Sequence, residues 1–201
     1  MNKMKTLTIP ASALALASAL ACAAGLAACG GGGGGDVVLG GSVTGLNKSG
    51  LVLANGATTL AVAANVGSFA FPGLIASDAN YHITIQTQPT GAVCQVVSGT
   101  ESGKASSLNV TTVQVSCLTN QYKLGGSVSG LSTAGLQLVN GGDTLAVAAG
   151  ATSFTFGGTV GDGAPYGVTI LSQPTGLICA VSNGGGTLGS ADVNTVAVAC
   201  R

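Results

Sequence analysis

The sequence predicts an all-β protein built from two tandem β-sandwich repeats, and two observations support that prediction. The first is an internal duplication, because Leu39-Gly-Gly-Ser-Val returns 85 positions later as Leu124-Gly-Gly-Ser-Val. The second is the alternation of large apolar side chains with a period of two over short runs, which is typical of half-buried antiparallel strands. No stretch after residue 28 shows the 3.6-residue period of an amphipathic helix.

The duplication covers most of the chain. At the same offset, three further motifs recur, namely Thr59-Leu-Ala-Val-Ala-Ala at Thr144, Ser68-Phe-Ala-Phe at Ser153 (with Thr for Ala) and Gln88-Pro-Thr-Gly at Gln173. After Cys94 the offset falls to 83, so that Cys117 matches Cys200. We therefore place repeat 1 at residues 37–117, a linker at residues 118–123 and repeat 2 at residues 124–201.

Short predicted strands follow one another within each repeat. The apolar pairs spaced two apart are Leu51/Leu53, Leu60/Val62, Phe69/Phe71, Ile83/Ile85 and Val113/Val115 in repeat 1, and Leu136/Leu138, Leu145/Val147, Phe154/Phe156, Val168/Ile170 and Val196/Val198 in repeat 2. Asn55-Gly56 and Asn140-Gly141 provide residues that accept a positive φ between two such runs, a strong hairpin signal. About seven strands in just under eighty residues suit a two-sheet sandwich.

Residues 1–28 have the layout of a secretory leader. Lys3 and Lys5 precede an uncharged, Ala-rich run that ends in small residues. A membrane-spanning helix is the alternative, because the run is just long enough to cross a bilayer. Pro10, Gly25 and the absence of a charge after the run favour the leader.

The leader ends in Leu26-Ala-Ala-Cys29, which resembles the lipobox of bacterial lipoproteins. The resemblance implies cleavage before Cys29, acylation of its thiol and attachment of the mature protein to a membrane through that lipid. The alternative is ordinary cleavage that leaves Cys29 as a free thiol. Residues 29–36 then comprise the lipidated cysteine and a poly-Gly tether. Gly30 rather than Asp follows Cys29, which by the same resemblance implies delivery to the outer membrane.

The remaining four cysteines fall two per repeat. A secretory leader implies an oxidising compartment, where disulfides are the default over metal ligation. We predict the bonds Cys94–Cys117 and Cys179–Cys200, although four cysteines allow three pairings. A redox role is the alternative, but the sequence contains no Cys-x-x-Cys pair.

The order of apolar motifs in each repeat resembles known surface modules. Gly126-x-Val, Phe154-x-Phe and Tyr166-x-Val-x-Ile follow in the order found in Ig-like and prealbumin-like modules of bacterial surface proteins. The whole cassette is similar to the tandem repeats of bacterial lipoproteins to which no activity is assigned. The resemblance implies a cell-envelope location and no particular reaction.

Reactive groups are scarce in the sequence. After the leader, four basic side chains face six acidic ones, a net charge of −2, and there is no Trp, so nucleic-acid binding lacks a basic patch and a stacking platform. His82 is the only histidine, and no Gly-x-Ser-x-Gly motif accompanies it. The acids are scattered over separate turns, and Asn183-Gly-Gly-Gly-Thr187 lacks the ending of a phosphate loop, which predicts a loose turn. We predict no catalytic residue, no cofactor and no metal.

Together these patterns favour a lipid-anchored, non-catalytic structural or adhesion-type module of the cell envelope. The membrane is its expected partner through Cys29, together with a protein or glycan that the sequence does not identify. A ligand- or glycan-binding module is the alternative. An enzyme that uses His82 is a third hypothesis.

Overall fold

The computed structural model describes residues 35–201, which form sixteen strands and no helix. The leader and Cys29 lie outside the described residues. Repeat 1 comprises β1 (Val37–Thr44), β2 (Leu51–Asn55), β3 (Thr58–Val62), β4 (Ser68–Ile75), β5 (Asn80–Thr87), β6 (Ala92–Val96), β7 (Ser102–Lys104) and β8 (Val110–Thr119). Repeat 2 comprises β9 (Gln121–Ser129), β10 (Gln137–Asn140), β11 (Asp143–Ala146), β12 (Ser153–Gly161), β13 (Pro165–Ser172), β14 (Cys179–Ser182), β15 (Gly185–Thr187) and β16 (Val193–Cys200).

Each repeat contains two four-stranded sheets. In repeat 1 the strand orders are β4-β1-β8-β6 and β3-β2-β5-β7. In repeat 2 the corresponding orders are β12-β9-β16-β14 and β11-β10-β13-β15. Because the orders agree strand for strand, the duplication in the sequence is also a duplication of the fold. The all-β class with two sandwich repeats is confirmed.

The first and last strands of each repeat lie side by side and run parallel. β1 pairs with β8 and β9 pairs with β16 in this way, whereas every other strand pair among residues 35–201 is antiparallel. The prediction of antiparallel strands is therefore wrong for one pair in each repeat. Period-two alternation reports which face of a strand is buried, and it carries no information about the direction of the neighbour.

The apolar side chains spaced two apart fill the core between the two sheets. Leu51, Leu53 and Val113 are fully buried, and their repeat 2 counterparts are buried to the same degree. The rings of Phe69 and Phe71 pack edge to face with centroids 6.2 Å apart, a favoured aromatic geometry. Each fully buried Leu or Phe contributes about 1.5–3 kcal/mol. Residues such as Leu60 and Ile85 are half-buried and line the margin of this core.

The Leu-Gly-Gly-Ser-Val motif is a packing requirement of the central strand β1. A Cβ added to Gly41 would collide with the carbonyl oxygen of Val113 on β8, and one added to Gly40 would collide with that of Phe69 on β4. The register shifts at this point in both pairings. Gly125 and Gly126 meet the same obstacles in repeat 2. The motif recurs because neither neighbouring backbone leaves room for a side chain.

A short strand that the sequence did not predict completes one sheet in each repeat. β7 pairs with the start of β5, and β15 pairs with the start of β13. A Cβ on Gly103 would lie 2.7 Å from the Tyr81 hydroxyl oxygen, and one on Gly186 would lie 2.8 Å from that of Tyr166. The predicted loose turn at residues 183–187 is therefore wrong in part, because its second half is β15. Glycine is depleted in strands, but here it makes room for a tyrosine ring.

The boundary between the repeats is almost entirely strand. β8 ends at Thr119 and β9 begins at Gln121, so Asn120 is the only residue between them. Of the segment 118–123 that separates the two copies in the sequence, five residues belong to β8 or β9. The repeats are thus joined almost directly, strand to strand.

Candidate functional site

The disulfides connect the last strand of each repeat to the edge strand beside it. Cys94 on β6 and Cys117 on β8 stand directly opposite each other and are bonded, with an S–S distance of 2.00 Å and a Cα–Cα distance of 3.9 Å. Cys179 and Cys200 repeat this arrangement between β14 and β16, with the same Cα–Cα distance. Both predicted disulfides are confirmed. Three of the four cysteines are at most 4% exposed, and the fourth, Cys200, is partly buried.

A glutamine side chain fixes each of the edge cysteines. Gln88 Nε2 donates to the carbonyl oxygen of Cys94 at 2.9 Å, and the Cys94 backbone N–H donates to Gln88 Oε1 at 2.8 Å. Gln173 makes the same two bonds with Cys179, at 3.0 and 2.8 Å. The conformation of the Gln-Pro-Thr-Gly turn directs the amide to this position. Sequence reasoning identified Gln-Pro-Thr-Gly as a recurring motif but missed the role of its glutamine.

These bonds run along the outer edge of the sheet. Since the backbone groups of Cys94 point toward Gln88, they do not bond to Cys117, and the two cysteines form a non-hydrogen-bonded pair, the type with the closer Cα atoms. The amide takes the place that a neighbouring strand would occupy. An edge strand with free N–H and C=O groups invites pairing with another chain. The glutamine therefore blocks strand addition next to the disulfide.

A second cluster of polar contacts lies where the two repeats meet. Lys48, in the loop after β1, donates from Nζ to the carbonyl oxygen of Asp162 at 2.7 Å and to its Oδ1 at 2.9 Å. Asp162 lies in the turn between β12 and β13 of the other repeat. The Lys48 and Asp162 side chains are only 21% and 13% exposed. Sequence patterns do not predict this pair, because the two residues lie 114 positions apart and share no motif.

Asn120 extends this cluster to a third segment. The Asp162 N–H donates to the carbonyl oxygen of Asn120 at 2.8 Å, and the Asn120 N–H donates to that of Gly91 at 2.9 Å. The Thr119 hydroxyl donates to Asn47 Oδ1 at 2.9 Å beside them. Two loops of repeat 1, the residue between the repeats and one turn of repeat 2 are thus joined by hydrogen bonds.

The side chains that could carry acid–base chemistry are spread over the surface. His82 lies exposed on β5, and its backbone N–H donates to Asn55 Oδ1. Asp143 accepts the backbone N–H of Gly158, and Asp192 accepts that of Lys123. Asp78 forms an exposed ion pair with Lys104 at 3.3 Å. Within residues 35–201, no three His, Cys, Asp or Glu side chains lie close enough together to hold a metal ion.

The fold alters the ionisation of Glu101. Its pKa is lowered chiefly by its own backbone N–H, with further contributions from the N–H groups of Gly99 and Thr100. Partial burial acts in the opposite direction, and His82 adds a weaker stabilising charge. The matching residue of repeat 2 is Gly184, so this turn differs between the copies. A single carboxylate held in its ionised form suits a structural turn better than proton transfer.

Equivalent hollows occur in both repeats beside the loop after the first strand. The hollow of repeat 1 has a volume of about 340 Å³ and is lined by residues 45–47 and 65–67. That of repeat 2 has a volume of about 500 Å³ and is lined by residues 128–132 and 150–152. Both are wide open to solvent. Asn47 and Asn65 in repeat 1 correspond to Ser132 and Gly150, which accounts for the wider hollow of repeat 2.

No helix within residues 35–201 is long and apolar enough to cross a membrane. The described residues form a pair of disulfide-bonded β-sandwiches.

Comparison with known proteins supports the fold. No protein-family model and no curated protein sequence matches the chain. The Bacillus anthracis TIE protein is similar in structure, with a TM-score of 0.50 and 12% identity over 82% of this chain and 34% of that one. The chain thus spans about a third of the length of the TIE protein. At this identity the likeness shows the all-β fold alone.

Two pilins give weaker superpositions. The major pilin protein (T-13) from Streptococcus pyogenes serotype GAS131465 has a TM-score of 0.32 and 12% identity over 83% of this chain and 96% of that one. A streptococcal ancillary pilin has a TM-score of 0.27 and 14% identity over 82% and 62%. We draw no conclusion from these two likenesses.

Proposed function

We propose that the chain is a lipid-anchored protein of the cell envelope whose two repeats serve as a non-catalytic structural or adhesion-type module. The observation that carries the proposal is the joining of two disulfide-bonded sandwiches without a flexible segment between them. Such a unit moves as one body at the end of its tether. The lipobox-like Leu26-Ala-Ala-Cys29 supplies the attachment.

The features that the two repeats share stabilise the fold and protect its sheet edges. Each has a disulfide between adjacent strands and a glutamine that blocks the nearby sheet edge. Small domains that bury limited apolar surface depend on such cross-links in oxidising compartments. The ionisable side chains of the described residues stabilise turns and edges instead of converging on a site. This distribution favours a structural role over an enzymatic one.

Mass spectrometry of the mature N-terminus tests the anchor. We expect a first residue Cys29 that carries a diacylglyceryl group, and we expect Cys29→Ala to leave the leader uncleaved. Cys22→Ala is the matched control, because Cys22 lies within the leader and should have no effect on processing. An unmodified Cys29, or a peptide that still joins it to Ala28, would contradict the lipid anchor.

The membrane that receives the protein is tested separately. Gly30 follows Cys29, whereas Asp at that position signals inner-membrane retention in enterobacterial lipoproteins, which this segment resembles. We expect the natural chain in the outer-membrane fraction of a density gradient and Gly30→Asp in the inner-membrane fraction. The same fraction for both proteins would contradict the outer-membrane assignment and leave the lipid anchor standing.

The twin hollows favour a second candidate, an envelope-anchored module that binds a ligand or glycan through both repeats. Two related surfaces on one chain would raise avidity for a repeating glycan. A glycan array probed with the full chain tests this, with Asn47→Ala as the variant that alters one hollow. Binding that weakens with Asn47→Ala would favour glycan binding through the hollows. The absence of any binding would contradict it.

A further inference from the structure

We propose that Lys48 and Asp162 form a latch that makes the two repeats unfold as one cooperative body. The latch consists of this ion pair and the hydrogen bonds through Asn120 and Gly91. It concerns the described residues only, so it holds whether or not Cys29 carries a lipid.

The geometry of Lys48 distinguishes the latch from an ordinary surface ion pair. One ammonium group bonds both the carboxylate and the backbone carbonyl of Asp162, at 2.9 and 2.7 Å. It therefore fixes the turn itself as well as the side chain. The Lys104–Asp78 pair within repeat 1 is longer, at 3.3 Å, and its side chains are 62% and 78% exposed. Exposed pairs of that kind contribute little, because solvent and salt screen them.

The surrounding backbone is shaped for the pair. A Cβ on Gly91 would collide with the Asp162 carboxylate, and a Cβ on Gly163 would lie 2.6 Å from Lys48 Nζ. Both glycines have positive φ, 78° and 74°. Glycine at these positions lets the ion pair sit against the main chain of both repeats, which withdraws it from water.

The duplication provides an internal comparison. At the position equivalent to Lys48, repeat 2 has Thr133, and at the position equivalent to Asp162, repeat 1 has Ser77. The Thr133 hydroxyl donates to the carbonyl oxygen of Thr175 at 2.7 Å and stays within its own repeat. The charged pair therefore occurs where one repeat meets the other, and neutral residues occupy both equivalent positions away from that junction. This distribution is expected if the pair serves the junction.

Coupling follows from these contacts. If repeat 2 unfolds, Asp162 leaves, and Lys48 loses its bonds to both the carboxylate and the backbone carbonyl. The Asn120 carbonyl loses the backbone N–H of Asp162 at the same time. Each repeat is thus stabilised by the folded state of its neighbour.

Calorimetry of the full chain tests the latch. For one cooperative body the calorimetric and van't Hoff enthalpies agree, so their ratio is about 1, whereas two independent domains of similar size give about 2. We expect a ratio near one for the natural chain and near two for both Lys48→Met and Asp162→Asn. Each variant keeps its apolar cores and disulfides, so both repeats remain able to fold.

Lys104→Met is the matched control, because it removes a lysine from an ion pair that lies within repeat 1. We expect its ratio to stay near one. The ratio of the Lys48→Arg variant should also stay near one, since Arg keeps the charge and can reach both oxygens of Asp162. A ratio near two for the natural chain, or equal ratios for Lys48→Met and Lys104→Met, would overturn the proposal.

Discussion

The side-chain amide of Gln88 makes both backbone hydrogen bonds that a neighbouring strand would make to Cys94. The contact spans only six residues, yet it closes the edge of the sheet at the point where the disulfide lies. Gln173 and Cys179 reproduce it in repeat 2. Because both copies make the same two hydrogen bonds at equivalent atoms, this contact is a property of the repeat itself.

Replacement of Gln88 by Ala should lower the free energy of unfolding by about 1–2 kcal/mol. Two hydrogen bonds are lost, and the buried Cys94 backbone regains only part of them from water. Urea denaturation measures the change, and Gln95→Ala is the control, because Gln95 is exposed on the same strand. Equal effects of the two substitutions would contradict the role given to Gln88. We also expect Gln88→Ala to associate more readily at high concentration, since the edge is open.

Removal of one disulfide should destabilise its repeat by about 3 kcal/mol in the loop-entropy model. The double variant Cys94→Ala, Cys117→Ala opens a loop with a sequence separation of 23, and Cys179→Ala, Cys200→Ala opens one of 21. Urea denaturation should therefore give similar losses for the two double variants. A loss below about 1 kcal/mol for either would show that the fold does not depend on that bond.

Replacement of Gly41 by Ala should lower the free energy of unfolding by about 1–3 kcal/mol or more. The added methyl group clashes with the backbone of β8, and no side-chain rotation can relieve that clash. Gly67→Ala is the matched control, since nothing lies within 4 Å of its added Cβ. Thermal denaturation followed by circular dichroism should separate the two variants clearly. A stable Gly41→Ala protein would mean that β1 and β8 do not approach as described.

Glu101 should contribute stability that depends on pH. Because its pKa is lower in the folded chain than in the unfolded chain, the contribution is fully present at neutral pH. It starts to fall below about pH 4.3, the ordinary value for glutamate, and is lost as the pH passes through the folded pKa. The difference in unfolding free energy between the natural chain and Glu101→Gln should therefore shrink between pH 5 and pH 3. The size of the decrease is set by how far folding lowers the Glu101 pKa. A constant difference over this range would contradict the lowered pKa.

The sequence predicted the parts of the fold that depend on local pattern. Phe69 and Phe71 alternate into the core because burial on one face of a strand imposes a period of two. Gly56, with a φ of 57°, forms the hairpin turn between β2 and β3 because Asn-Gly favours positive φ. The cysteine pairs were predictable because the duplication divides four cysteines equally between two similar units.

Other features depend on what the chain meets from a distance, and local pattern does not encode them. Val113 on β8 could pair with β1 in either direction without any change in its alternation. The strand β7 was not predicted, and only the ring of Tyr81 explains why Gly103 in that strand has no side chain. Lys48 and Asp162 look like two unremarkable loop residues, and only the fold brings them together. Cys29 and the leader lie outside the described residues, so the lipid anchor stays a prediction.

The parallel pairing of the first and last strands also determines how each repeat would bear a mechanical load. Since β1 and β8 run in the same direction side by side, the chain enters a sandwich at one end and leaves it at the other. Tension between the two ends therefore pulls these strands along their length in opposite senses. Their hydrogen bonds are then loaded in shear and share the force. In an unzipping geometry they would instead break one after another. A tethered pair of such units would therefore resist a force that pulls its two chain ends apart.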